Sequence, residues 1–182
     1  MIRLVILDRD GVLNVDRVDS VKSPAELVML PGAAEAVAAL NRRGYHVAVA
    51  TNQSVVGRKT ITQDTLDEIH RHLAMALAQA GGVLDRIYVA PDHPDHATSW
   101  RKPGPGMLLQ AMQDFQTLPQ QTVMIGDALR DMQAANAAGC HKILVRTGRG
   151  AEISAEDLRA LQPLRIAADL TAAITEIDNF QA

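Results

Sequence analysis

Apolar residues along this chain keep two alternating rhythms. Short runs rich in Val, Ile and Leu recur at Leu4–Leu7, His46–Ala50, Arg86–Ala90, Val123–Ile125 and Ile143–Val145. None alternates cleanly with polar residues, which is the pattern of strands covered on both faces. Between them lie segments of helical period. Pro31 to Arg43 ends at Gly44, a residue suited to a helix C-terminus. Thr62 to Ala80 sets Leu66, Ile69, Leu73, Leu77 and Ala80 on one stripe and stops at Gly81-Gly82. Asp131 to Ala138 ends at Gly139, Ser154 to Asp157 has capping-box spacing, and Leu170 to Ile177 is amphipathic. Strands alternating with helices predict an α/β fold, a doubly wound and mostly parallel sheet.

No repeat or low-complexity linker divides the chain, so a single domain over residues 1–182 is expected. Two connections exceed plain turns, Asp10 to Leu30 and Pro91 to Gly106, and long loops in compact domains tend to carry function.

Composition narrows the function. A net charge of −3 with one Trp, two Tyr and two Phe argues against a nucleic-acid surface, which needs a basic excess and stacking rings. The one cysteine, Cys140, excludes an intrachain disulfide and a multi-thiolate zinc site. It stands where the fifth strand begins and reads as a small buried residue. No apolar run approaches the roughly 20 residues of a membrane span, and Leu4–Leu7 is too short for a signal peptide. A cytoplasmic monomer with no membrane or nucleic-acid partner is the expectation.

In doubly wound sheets ligands bind beyond the carboxyl ends of the strands. The first strand is followed by Asp8-Arg9-Asp10-Gly11, the second by Thr51-Asn52-Gln53-Ser54, and the fourth by Gly126-Asp127 with Asp131 beyond; Arg101-Lys102-Pro103 lies in the loop after the third. Taken singly, each has an ordinary explanation as a turn, a helix cap or a solvated pair. Taken together and in order, they bring carboxylates, a hydroxyl and a cation to one sheet edge. Clustered aspartates suit Mg²⁺, which accepts all-oxygen ligation and shares its shell with a phosphate oxygen. An aspartate can attack phosphorus, and a second one nearby can exchange protons with the leaving oxygen and with water. Thr51, backbone N–H groups and Lys102 can hold the equatorial phosphoryl oxygens.

The series Asp-x-Asp-Gly-Val, Thr-Asn, Arg-Lys-Pro and Gly-Asp-x-x-x-Asp resembles the haloacid dehalogenase (HAD) superfamily of phosphatases. The match runs from about Leu4 to Gly148. Asp8 to Asn14, Thr51 to Ser54, Arg101 to Met107 and Val145 to Gly148 are similar to its subgroup acting on heptose bisphosphates and histidinol phosphate. The resemblance implies a Rossmann-like sheet of order 5-4-1-2-3 with a minimal cap made of loops. It also implies a Mg²⁺-dependent phosphomonoesterase acting on a small phosphorylated sugar, with histidinol phosphate or another small phosphomonoester as the alternative substrate. By the same resemblance Asp8 is nucleophile and metal ligand. Asp10 is general acid/base and lends the metal its carbonyl, Asp127 is the other carboxylate ligand, and Thr51 and Lys102 stabilise the phosphoryl group. Asp16, Asp19, Asn52, Gln53, Ser54 and Arg101 would contact substrate, and Asp131 would support Lys102 or the metal's waters.

The chain departs from the subgroup's pattern at Val55, where Gly often follows the serine, and in one loop. The zinc-binding cysteines and histidine that precede Arg-Lys-Pro are replaced by Ala90-Pro-Asp92 and Thr98-Ser-Trp100, and the loop is shorter. His93 and His96 without thiolates make a poor structural zinc site, so no zinc is expected, with Trp100 anchoring the loop instead. His70 and His72 are expected on a helix surface. Two other classes share parts of the set. A receiver domain also uses Asp, Mg²⁺, Thr and Lys, but it lacks an acid/base two residues beyond its phosphorylated Asp. A non-catalytic phosphosugar-binding protein is disfavoured because no catalytic element is missing.

Overall fold

The computed structural model describes residues 1–180. Six strands form one all-parallel sheet: β1 (Leu4–Leu7), β2 (His46–Asn52), β3 (Arg86–Ala90), β4 (Thr122–Gly126), β5 (His141–Val145) and β6 (Arg165–Ala167), in the order β3-β2-β1-β4-β5-β6. The expected order of five strands is present, extended by β6 at one edge. Period 2 along β1 sends Val5 and Leu7 to one face and Leu4 and Ile6 to the other.

Helices cover both faces. On the Val5/Leu7 side lie α1 (Ala33–Arg42), α3 (Gln63–Gln79) and α7 (Leu170–Asp178), whose Leu40, Leu73, Leu77 and Ile177 are fully buried. Each such side chain contributes about 1.5–3 kcal/mol by leaving water. On the Leu4/Ile6 side, α4 (Gly106–Asp114) and α5 (Leu129–Ala138) pack Met107, Leu108 and Ala135 against Ala48, Ala50 and Met124. Small residues on β2 let these helices sit close to the sheet. Two short helices, α2 (Ser54–Gly57) and α6 (Ala155–Ala160), lie at loop ends. Thr62, Ser154 and Asp169 cap α3, α6 and α7 by accepting the N–H of Thr65, Asp157 and Ala172.

Several boundaries differ from the sequence expectation. β2 continues through Thr51 and Asn52, so these residues end a strand instead of following one. Gly106–Asp114 is a helix behind a Pro- and Gly-rich loop that masks its start. The long Asp10 to Leu30 connection is irregular, apart from a 3-10 turn at Pro24–Glu26 and short bridges from Asn14 to Asp10 and Met29.

Register decides what meets at the sheet edge. Leu7 stands beside Val49 of β2 and Ile125 of β4. Asp8 is therefore one residue past that level, and Thr51 and Asp127 are two. Successive strands run outward from β1 to β3, and the chain then returns across β1 to β4. The resulting switch point lies between β1 and β4, where ligands bind in folds of this kind.

Candidate active site

Asp8 leaves β1 with its carboxylate buried. Oδ1 accepts the Arg9 backbone N–H at 2.7 Å, and Oδ2 lies 3.0 Å from the Lys102 ammonium. That ammonium also lies 2.7 Å from Asp131 Oδ1, and both Lys102 and Asp131 are fully buried. Asp131 is held in turn by its position on the first turn of α5, where Oδ2 accepts the Ala128 N–H at 2.9 Å. Lys102 is aimed from behind by Asn52, whose amide accepts the Lys102 N–H at 3.1 Å and donates to the Lys102 carbonyl at 2.9 Å. A strand-end amide thus sets the exit vector of a loop lysine.

Asp127, just past β4, completes a group of three buried carboxylates with Asp8 and Asp131, whose oxygens approach within 4.8 Å of one another. Asp127 Oδ2 accepts the Arg149 N–H at 2.8 Å, while its Oδ1 is buried with no hydrogen-bond partner. Glycine permits the close approach around it. At Gly148 (φ 56°) an added Cβ would stand 2.8 Å from Gly11 Cα and overlap the Asp127 carboxylate, and one at Gly11 (φ 79°) would overlap it from the other side. Thr147 Oγ1 donates to the Gly11 carbonyl at 2.6 Å, closing the same clasp.

Burial pushes the Asp8 pKa up to about 7; Asp131 and Asp127 push the same way, against Lys102 and Arg130. Burial also raises Asp127 to about 6, with Asp131 adding to the effect. Burial works against the Lys102 charge, but Asp131 and Asp8 outweigh it and hold the ammonium above its ordinary value. Arg130 is likewise raised by Asp131, Asp8, Asp127 and Asp16 despite its burial. The site has more negative charge than its own cations balance. All its donors are hard oxygens and one of them is orphaned, which fits a hard divalent cation such as Mg²⁺. The orphaned oxygen belongs to Asp127, so a cation there would meet Asp127 first, with the Asp8 and Asp131 carboxylates within reach.

Asp10 sits differently. Its Oδ1 accepts from Arg9 Nη2 at 3.0 Å and Asn14 Nδ2 at 2.8 Å, and its Oδ2 from Arg9 Nη2 at 3.0 Å and Gln53 Nε2 at 2.8 Å. Burial raises its pKa, but the Arg9 charge and these donors win, and the group lies below the ordinary carboxylate value. Gln53 also donates to Thr51 Oγ1 at 2.8 Å, so its amide is committed inside this network. Ser54 opens α2 and is half-buried.

Around the mouth, Asp16 pairs with Arg149 Nε at 2.8 Å. Asp19 is exposed and pairs with Arg17 and Lys22 along its own loop. Arg101 is half-buried and donates to the Asp92 carbonyl at 3.3 Å. The 91–106 loop is braced by polypeptide contacts. Asp92 accepts the Thr98 N–H at 2.8 Å, and Trp100 Nε1 donates to the Val89 carbonyl at 2.7 Å while its ring packs edge-on against Tyr88. His93 accepts the Asp95 N–H, and its ring centroid is 6.0 Å from that of His96. Cys140 is buried just before β5.

Sequence reasoning missed several members. Arg9 occupies the variable place of Asp-x-Asp yet is fully buried, and Arg130 and Arg149 flank the carboxylates. His70 was expected on the helix surface, but only His72 is exposed. His70 is half-buried, with Nε2 3.3 Å from Arg9 Nη1. Its place gave a signal, since position 70 lies four residues after Leu66 and three before Leu73, on the flank of the buried stripe.

Acidic groups, a buried lysine and a hydroxyl at the switch point of this parallel sheet define a HAD-like hydrolase, and residues 99–173 match the HAD-hydrolase-like family. The chain is 45% identical over 148 residues to the D-glycero-beta-D-manno-heptose-1,7-bisphosphate 7-phosphatase of Neisseria meningitidis serogroup A, covering 81% of this chain and 79% of the relative. It is 44% identical over 154 residues to that of Bordetella bronchiseptica, covering 85% and 86%. The crystal structure of D,D-heptose 1,7-bisphosphate phosphatase from B. bronchiseptica complexed with magnesium and phosphate superposes with a TM-score of 0.90 at 39% identity, over all of both chains. The chain belongs to this family of HAD-like phosphatases.

Proposed function

We propose that this chain is a Mg²⁺-dependent phosphomonoesterase that removes the 7-phosphate of D-glycero-D-manno-heptose 1,7-bisphosphate through an aspartyl-phosphate on Asp8. The observation that carries the reading is the buried Asp8–Lys102–Asp131 chain, with contacts of 3.0 and 2.7 Å, beside the unpartnered Asp127 oxygen. Its substrate follows from the relatives of Neisseria and Bordetella.

An Asp8 oxygen attacks phosphorus, the new O–P bond forms, and the ester O–P bond breaks. Lys102 and Thr51 hold the equatorial oxygens as charge spreads over them. Asp131 keeps Lys102 charged and aimed. Asp10 gives a proton to the leaving sugar oxygen, then takes one from water as that water attacks phosphorus and frees the Asp8 carboxylate. An anionic phosphoryl group arriving beside Asp10 offsets the Arg9 charge that keeps it ionised, so the acid gains its proton where it is needed while Arg9 still holds it. Asp8 and Asp127, with the Asp10 carbonyl, would hold Mg²⁺, which supplies charge neutralisation to the phosphoryl oxygens. Arg101 and Asp16 border the sugar, Asn52 acts by fixing Lys102, and Gln53 by fixing Asp10 and Thr51.

Phosphorus NMR of the reaction tests this reading. Incubation with the bisphosphate and Mg²⁺ should release inorganic phosphate and leave the 1-phosphate intact, and Asp8→Asn should release none. Loss of the anomeric phosphate, or faster turnover of histidinol phosphate, would refute the substrate assignment.

A further inference from the structure

Arg9 is a charged side chain with no exposure, and its partners account for it unequally. Nε and Nη2 point to Asp10, at 3.3 Å and 3.0 Å. Nη1 meets one side chain from another element, His70 Nε2 on α3, at 3.3 Å across 61 residues of sequence. A guanidinium is always protonated and only donates. The ring nitrogen facing it must therefore be the acceptor, which fixes the neutral tautomer with the proton on Nδ1. The planar fork cannot turn without breaking both contacts at once.

We propose that His70 is a positioning residue for the reaction: by accepting from Arg9 Nη1 it fixes the plane in which Arg9 presents its fork to Asp10. The chain of contacts then runs from His70 through Arg9 to Asp10, and on through Gln53 to Thr51. Every member beyond His70 touches either the acid/base or the phosphoryl-binding hydroxyl. A buried guanidinium deprived of its acceptor has a free N–H to satisfy. It can do so only by tilting, and tilting moves the carboxylate it holds. The inference rests on the phosphatase reading and adds α3, which bears no catalytic motif, to the machinery that places the acid.

The test is steady-state kinetics on heptose 1,7-bisphosphate at saturating Mg²⁺, with thermal melts, for wild type, His70→Leu and His70→Gln. Leucine fills the space without an acceptor, whereas the glutamine amide oxygen can stand near the place of Nε2. His70→Leu should lower kcat about 10-fold, a fraction of the full worth of an acid/base group. KM should stay within about twofold, because His70 meets neither phosphate nor sugar. His70→Gln should recover most of the lost kcat. Should His70→Leu not fold, His70→Asn replaces it. Its acceptor falls near Nδ1, so kcat should drop for Asn and not for Gln. Wild-type kcat in His70→Leu, equal losses in Leu and Gln, or an effect carried by KM would each overturn the proposal. A wild-type protein that hydrolyses no phosphomonoester would instead overturn the phosphatase reading itself.

Discussion

Gly148→Ala isolates the clasp around Asp127. A methyl group there meets two penalties. The first is conformational: φ is 56°, a left-handed backbone that costs an L-residue about 1–2 kcal/mol. The second is steric, since the Cβ would stand 2.8 Å from Gly11 Cα and 2.9 Å from Asp127 Cγ, and closer still to the Asp127 carboxylate oxygen. Relief requires Asp127 to move, and Oδ2 then loses the Arg149 N–H now at 2.8 Å. A hydrogen bond to a charged group is worth about 1.5–3 kcal/mol, so the sum is about 3–5 kcal/mol. Gly44→Ala separates the two penalties, because Gly44 has φ 77° and nothing within 4 Å of the added carbon. At about 2–4 °C per kcal/mol for a chain of this size, Gly44→Ala should lower Tm by about 4 °C and Gly148→Ala by about 10 °C. Calorimetric titration should show Mg²⁺ affinity unchanged in Gly44→Ala and reduced about 10- to 100-fold in Gly148→Ala. Matching melts and matching Mg²⁺ affinities for the two variants would refute the clasp.

Lys102→Met leaves Asp8 and Asp131 facing each other without their cation. A carboxylate whose folded pKa is raised weighs against folding as pH climbs from its unfolded value through the folded one, so urea melts of the metal-free variant should lose about 3–5 kcal/mol at pH 8 and much less at pH 5. A loss that does not vary with pH would contradict that charge balance. Burial, and then the Arg9 charge, depress the His70 pKa to about 4, so its contribution is full above pH 6.5 and drains as pH falls toward 4. Wild type should therefore lose on the order of 3 kcal/mol relative to His70→Gln between pH 7 and 4 in denaturant melts, and parallel pH profiles would refute this. Trp100→Ala removes a half-buried ring and its bond to the Val89 carbonyl. It should destabilise by about 2–3 kcal/mol and raise KM with kcat little changed, whereas unaltered proteolysis of the 91–106 loop would argue against the anchor.

β1, β2, β4 and β5 were legible because burial on both faces leaves unbroken apolar runs, and the half-buried edge strand β3 because Ile87, Tyr88 and Val89 still stand together. β6 was not: Arg165-Ile-Ala167 is three residues long at an edge, with only Ala167 buried, and presents no run. Helix Gly106–Asp114 was hidden behind Pro103, Gly104 and Pro105, residues that read locally as turn. The carboxylates, Thr51 and Lys102 were legible because each stands at or near a strand end in the order the chemistry requires. Which group holds which was not. That Asn52 bonds to Lys102, that Gln53 donates to Asp10, and that Arg149 donates to Asp127 are facts of tertiary contact across 22 to 50 residues of sequence. Arg9 and His70 were overlooked for a simpler reason. Polar residues are read as exposed by default, and only their partners make burial tolerable.

The proposed role of Asp8 as nucleophile is tested most directly by rapid quench of a single turnover, with heptose bisphosphate labelled with ³²P at the 7-position. Label should appear transiently on the protein, be released by hydroxylamine as from an acyl-phosphate, and map to the peptide carrying Asp8. It should be absent in Asp8→Asn. Complete turnover without protein-bound label in the quench window, or label on a peptide that lacks Asp8, would contradict that role.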